Sequence, residues 1–280
     1  MEDRKARLYA SPATPRLSGV QIKAPMNLSH DGILRSALDR RALTHTLKPS
    51  PGAGFEDLPR VEAACLAAAR ACGFETAAHA IVSMPNDLPD ALLVERFDIR
   101  QDRNDRRKIA MEDMASVRGV PPSGKYEGSI EQAARALRGV SSDADADVAA
   151  SLGRAVFAWL IADGDFHLKN MAVLRVVPDG ARNFSSVRLA PTFDAVTARA
   201  FPSFEDKDLA LSLAGKRNRL LSKDFFRAGK TMGISSQEAS DCVESLCSRL
   251  SAFLEEREPA SDLVGRAFDI WKRRIETTAG

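Results

Sequence analysis

Apolar positions along this chain change their period part-way through, and that change divides it. Up to about residue 97 the apolar runs are short and interrupted by Gly and Pro. Residues 19–26 and 43–48 read as strands around a loop, and Lys48-Pro-Ser-Pro-Gly-Ala-Gly54 reads as a turn-rich connector. Residues 58–72 switch to helical spacing, with Val61, Cys65, Leu66 and Ala69 on one face and Gly73 as the stop. Two more strand-like runs follow at 81–84 and 91–97. The second half is mostly helical. A long apolar helix is predicted over 143–163 through Val148, Leu152, Val156, Trp159 and Leu160. Strand-like runs stand at 171–177, 186–189 and 209–213, and three helices close the chain at 223–232, 236–255 and 260–277. Ser235 or Ser236 with Glu238, and Pro259, are the start signals of the last two. The charge-rich stretch from Asp98 to Lys108 marks the boundary, so residues 1–98 form a small α/β part and 99–280 a helical one. The class is α+β.

Composition narrows the function mainly by exclusion. Forty Lys and Arg against 38 Asp and Glu give a net charge of +2, too balanced for a nucleic-acid footprint or polybasic membrane attachment. The longest apolar run, 155–162, is far below the ~20 residues a bilayer span needs. No apolar signal core follows Met1, so a cytoplasmic protein is expected. Cys65 and Cys72 share a helical pattern, Cys242 and Cys247 lie far off, and no CxxC pair occurs. They read as small buried thiols rather than disulfides or zinc ligands.

Candidate chemistry centres on Asp163-Gly-Asp-Phe-His-Leu-Lys-Asn170. Phosphoryl transfer asks for a carboxylate beside the attacking hydroxyl, metal ligands beside the phosphates and a cation over the transferred oxygens. An Asp followed five positions later by an Asn supplies the first two, and Asp165 with Asn170 has that spacing. Asp163 lacks it. Lys169 adds a cation, and Phe193-Asp194, after the next strand, supplies a second acidic ligand. An Asp-Gly-Asp run alone is more often a turn. Upstream features tip the balance. Leu17-Ser-Gly-Val-Gln-Ile-Lys23 can approach phosphate through Gly19 and neutralise it through Lys23. Lys48 ends a strand-like run, and residues 91–98 form an apolar strand suited to pairing with adenine. Ala228-Gly-Lys-Thr231 mimics the end of a Walker A loop, but Asp224 stands where its first glycine belongs.

Taken in order, Ser18 to Lys23, Leu92 to Asp98, Met111 to Met114, Gly119 to Pro122, Lys125-Tyr-Glu127, Asp163 to Asn170 and Leu189 to Asp194 make the chain resemble the HipA family of bacterial serine/threonine kinases, the toxins of toxin–antitoxin modules. The resemblance implies a two-lobed protein-kinase-like fold with ATP and Mg2+ as cofactors. It implies Asp165 as catalytic base and Asn170 and Asp194 as magnesium ligands. Lys48 would meet ATP phosphates with Glu62 as partner, and Glu95 and Phe97 would meet adenine through their backbone. His167 and Lys169 would lie near the nucleotide, and Ser18, Gly19, Val20, Gln21 and Lys23 would form the phosphate loop. Ser18 is the candidate for silencing autophosphorylation, since the family's other serine position holds Arg16. Long members carry an extra subdomain ahead of that loop. This chain resembles the short type, for which a small separate protein and a DNA-binding antitoxin are the expected partners, with DNA contacted only through the antitoxin. The expected substrate is a housekeeping protein such as an aminoacyl-tRNA synthetase. A small-molecule kinase of aminoglycoside or choline kinase type shares the Asp and Asn spacing, and an inactive binding subunit is the reading from another class.

Overall fold

The computed structural model describes residues 22–29, 31–37, 43–52, 54–102, 105–177, 184–205 and 208–279. Ser18, Gly19, Val20 and Gln21 lie outside the described residues. The chain divides into two compact units, one of residues 1–63 and 77–108, the other of 64–76 and 109–280.

The first unit is built on a five-stranded antiparallel sheet. Its strands are β1 (Ala24–Leu28), β2 (Leu34–Ser36), β3 (His45–Lys48), β4 (His79–Val82) and β5 (Ala91–Glu95), in the order β2-β1-β3-β5-β4. Helix α1 (Leu58–Ala71) starts in this unit. Ala24, Met26, Leu47, Ala91 and Leu93 form the sheet's core, with Leu34, Val82 and Met84 packed against it. Alternate residues of each strand reach that face because side chains alternate along a strand. Strand β4 ends two residues earlier than the apolar run 81–84 suggested. Val82 pairs with Ala91, the first residue of β5, so Ser83 and Met84 have no partner strand beyond it. The charge-rich stretch expected as a boundary is a hairpin, β6 (Ile99–Asp102) with β7 (Asp105–Lys108).

In the second unit, β8 (Ala110–Asp113) runs into α2 (Met114–Val117), followed by α3 (Ile130–Val140) and α4 (Ala144–Leu160). Strands β9 (Ala172–Val176) and β10 (Ser186–Leu189) complete a three-stranded sheet ordered β10-β9-β8. Helices α5 (Ser222–Met232), α6 (Ser236–Glu255) and α7 (Asp262–Ala279) finish the chain. Helix α4 is the axis, packed by α3, α5, α6 and α7. Its long apolar run buries Leu152, Val156, Phe157 and Leu160. Burial of each such side chain stabilises the fold by roughly 1.5–3 kcal/mol.

Two sequence expectations fail for physical reasons. The run 209–213 is not a strand, and within it Ser212 and Leu213 make isolated bridges. The run's N–H groups find turn and loop acceptors: Leu209 donates to Arg217 O at 3.1 Å, Ser212 to Gly128 O at 3.4 Å and Leu213 to Lys216 O at 2.7 Å. The last helix starts at Asp262, because the Ser261 side chain accepts the Val264 N–H and so caps it. Helix α3 carries no expectation from the apolar pattern, yet its start is written as Ser129-x-x-Gln132, a capping box made by both residues. The Walker-like Gly229 lies buried inside α5, where an added Cβ would meet Ala239 of α6 at 3.1 Å. Close helix packing, not phosphate, explains that glycine. Cys65 and Cys72 are buried thiols, neither in a disulfide.

Candidate active site

The loop between α4 and β9 carries the octapeptide. Helix α4 ends with Asp163 N–H on Ala158 O at 2.8 Å and Ala162 N–H on Trp159 O at 3.0 Å. This is the left-handed helix stop usually made by glycine, and here Ala162 takes it at φ 53°. The chain therefore leaves the helix sharply, and Asp163 to Asn170 fold back on themselves. Asp163 is buried, at 2% exposure, and accepts the Asp165 N–H at 3.0 Å. It also accepts the backbone N–H of Val196, two residues after Asp194. One carboxylate thus fastens the octapeptide to the segment that carries Asp194.

Asn170 closes the loop from its other end. Its Nδ2 donates to the Asp165 carbonyl at 2.8 Å, and its own N–H donates to His167 O at 2.9 Å. With the amide nitrogen so used, Oδ1 is the atom that can face a cation. Asp165 stays partly exposed, with 38% of its side chain open, the access that a base would need. Its Oδ1 accepts the Tyr126 hydroxyl at 2.7 Å, and its Oδ2 lies 3.9 Å from His167 Nε2. His167 is buried, and that burial holds its imidazole below the ordinary range, with Asp165 opposing and Lys125 assisting.

Asp194 sits at φ 53°, a backbone region rare for residues other than glycine and most tolerated by Asp and Asn. Its charge reaches both Asp163 and His167. Asp163 is pushed well above the usual carboxylate range, by burial first and then by the charges of Asp165 and Asp194. Among the described residues no group of three His, Cys, Asp or Glu side chains forms a metal cage. Magnesium does not need one, since it is commonly held by one or two carboxylates together with substrate phosphates. Asp194 is one such carboxylate, and the Asn170 amide oxygen is a neutral oxygen donor of the kind a hard cation accepts.

Lys169 is anchored, with its Nζ 2.6 Å from Asp113 Oδ2. Asp113 also caps α2 by accepting the Ser116 N–H. Burial works against the Asp113 charge, but the bonds from Lys169 and Ser116 outweigh it and hold its carboxyl below the usual range. The approach to Asp194 is fixed by two buried residues of α4. Asp147 accepts from Arg188 and from Leu189 N–H at 2.9 Å, and Arg154 donates to Ala190 O. Beyond Asp194, buried Thr197 Oγ1 accepts the Trp271 Nε1–H at 2.7 Å.

In the first unit, Lys48 and Glu62 form a buried ion pair, both under 5% exposed. The expected partnership is therefore present. Lys23 directly precedes β1. Glu95 ends β5, and its N–H donates to Ala78 O at 2.8 Å, so any purine contact from Glu95 would run through its carbonyl. Phe97 follows, half-buried. Two functional candidates escaped the sequence reading. Tyr126 had appeared only within a matching run, and Asp163 only as a position without the Asn spacing.

A family model described as HipA-like C-terminal domain matches residues 16–253. Two proteins of Sinorhizobium fredii, named "Putative kinase Y4mE" and "Putative kinase Y4dM", are 31% and 30% identical over 252 and 238 residues. These alignments cover 86% and 80% of this chain but 57% and 55% of the relatives, so the chain spans little more than half their length. Among solved structures, HipA of Shewanella oneidensis MR-1, in a complex with HipB and operator DNA, superposes with a TM-score of 0.77 at 19% identity. It covers 98% of this chain and 67% of that one. The proinflammatory kinase CtkA of Helicobacter pylori matches at 0.55 and 12% identity, over 84% and 87% of the two chains. The fold is that of the HipA and CtkA kinases, and the chain belongs to the HipA-like C-terminal domain family.

Proposed function

We propose that this protein is an ATP-dependent serine/threonine protein kinase acting as the toxin of a bacterial toxin–antitoxin pair. The observation that carries the reading is the closed loop of Asp165 and Asn170. The backbone of Asp165 is held between a buried brace, Asp163 on its N–H, and an amide lock, Asn170 on its carbonyl, while its carboxylate stays partly exposed. Positioning of this kind supplies most of what phosphoryl transfer asks of a protein.

In this reading Asp165 takes the proton of a serine or threonine hydroxyl. The hydroxyl oxygen forms its bond to the γ-phosphorus as the bond to ADP breaks, and ADP leaves with that electron pair. Asn170 Oδ1 and Asp194 would hold magnesium, which when bound offsets phosphate charge. Lys48, kept in place by Glu62, would meet phosphate oxygens, and the Glu95 carbonyl and Phe97 would meet the adenine. His167 would lie near the nucleotide, its buried ring 3.9 Å from Asp165 Oδ2. Ser18, Gly19, Val20, Gln21 and Lys23 would cover the phosphates. Phosphorylation of Ser18 would add a charge of about −1.5 to −2 and silence that loop. The Shewanella relative is seen with HipB and operator DNA. A DNA-binding antitoxin is accordingly the partner we assign here, and a housekeeping protein such as an aminoacyl-tRNA synthetase is the substrate class.

The test is transfer from labelled ATP with magnesium to proteins of a bacterial lysate, comparing wild type with Asp165→Asn. Label on proteins from the wild type alone is expected. Equal labelling by both variants, or label only on small molecules, would overturn the reading. Mass spectrometry after incubation with ATP should find phosphate on Ser18.

A further inference from the structure

We infer that Tyr126 is a positioning residue for the transfer base, fixing Oδ1 of Asp165 with its hydroxyl and so setting how the carboxylate is turned toward the attacking substrate. The inference rests on the kinase reading of Asp165 and names a further member of the same site. A carboxylate on a loop can rotate about its own bond, and either oxygen can then turn to the substrate. The Tyr126 hydroxyl removes that freedom with a 2.7 Å hydrogen bond to Oδ1.

Tyr126 is itself held on several sides. Its ring meets the His167 ring edge-on, with centroids 5.1 Å apart. The carbonyl of Lys125 accepts the Leu168 N–H at 3.1 Å, which docks this segment onto the octapeptide. Arg217 Nη2 donates to Tyr126 O at 3.0 Å. The Lys125 ammonium lies 4.8 Å from the ring centroid. A phenol so restrained can orient a neighbour, because its own position costs no further ordering. Burial, with the bond to Asp165 and its charge, raises the hydroxyl above the ordinary tyrosine range. It therefore keeps its proton at working pH and serves as a fixed donor rather than a second base.

Tyr126→Phe keeps the ring and deletes only the hydroxyl. The expected result is a fall in kcat of about tenfold or more, with KM for ATP and the melting temperature held, as befits a group acting only in the chemical step. In an Asp165→Asn background the same change should cost nothing further, since the two act as one unit. Retained kcat overturns the proposal. A rise in kcat also overturns it, for the hydroxyl would then be an occupant of the acceptor's place. Equal losses in ATP affinity and melting temperature would reduce Tyr126 to a packing residue. A second measurement does not need activity. Hydrogen exchange at the Asp165 and His167 amides should quicken in Tyr126→Phe, and unchanged exchange counts against the inference even if the wild type proves inactive. Inactivity of the wild type would by itself refute only the kinase reading.

Discussion

Asn170 donates its side-chain amide to the backbone carbonyl of Asp165 at 2.8 Å, so the residue proposed to hold magnesium also sets the loop that presents the base. The two roles are tied in one side chain. Asn170→Ala should lose both, with kcat down by roughly 10²-fold, the scale expected when a catalytic group is misplaced by about an ångström. Asn170→Asp keeps an oxygen but cannot donate, and should be nearly as damaged. Steady-state kinetics at several magnesium concentrations checks this, with the Asp variant regaining part of its rate as magnesium rises.

The Lys48 and Glu62 pair is buried almost completely, so each charge depends on the other. Removing one partner alone, as in Glu62→Ala, should destabilise the fold by about 3–5 kcal/mol. Replacing both, as in Lys48→Met with Glu62→Leu, should restore much of that stability while leaving the protein inactive. Urea denaturation and ATP-transfer assays on the three variants measure the split.

Asp224 is buried at the start of α5, where it accepts from Leu221 N–H, Lys216 and Arg227. Burial opposes its charge, but Lys216, the Leu221 N–H and Arg227 prevail and lower its carboxyl below the ordinary value. A lowered carboxylate contributes stability above its unfolded value of about 3.9 and loses it as the pH falls through the folded one. Asp224→Asn should therefore melt well below wild type at neutral pH. The gap should close as the pH drops below about 4. Melting curves across pH test the sign.

Ala162 occupies a left-handed turn at φ 53°. A non-glycine residue there costs roughly 1–2 kcal/mol, while glycine gives back about 0.5–1 kcal/mol through the unfolded chain. Ala162→Gly should thus raise stability by about 0.5–1 kcal/mol. The change should appear as a higher denaturation midpoint with an unchanged slope.

Much of the architecture was legible locally. The α4, α6 and β10 segments follow from periodicity and from caps such as Ser235 with Glu238, because those signals lie within a few residues of one another. The run 209–213 misled because apolar residues are buried there without a partner strand. Nothing in its own composition separates the two cases. Of the phosphate loop expected at Ser18 to Lys23, Ser18 to Gln21 lie outside the described residues.

By itself the sequence determined the spacing of Asp165 and Asn170, the helix that delivers them and the strand that follows. These depend on backbone geometry over a few consecutive residues, and such geometry is written in adjacent side chains. Tertiary structure alone decided the partners: Tyr126 on Asp165, Asp163 on the Val196 amide and Asp113 on Lys169. Each joins residues that the chain separates by tens of positions or by a whole sheet. Which donor reaches which carboxylate is fixed only when packing brings the segments together, since a buried charge must find its hydrogen bonds wherever the fold supplies them.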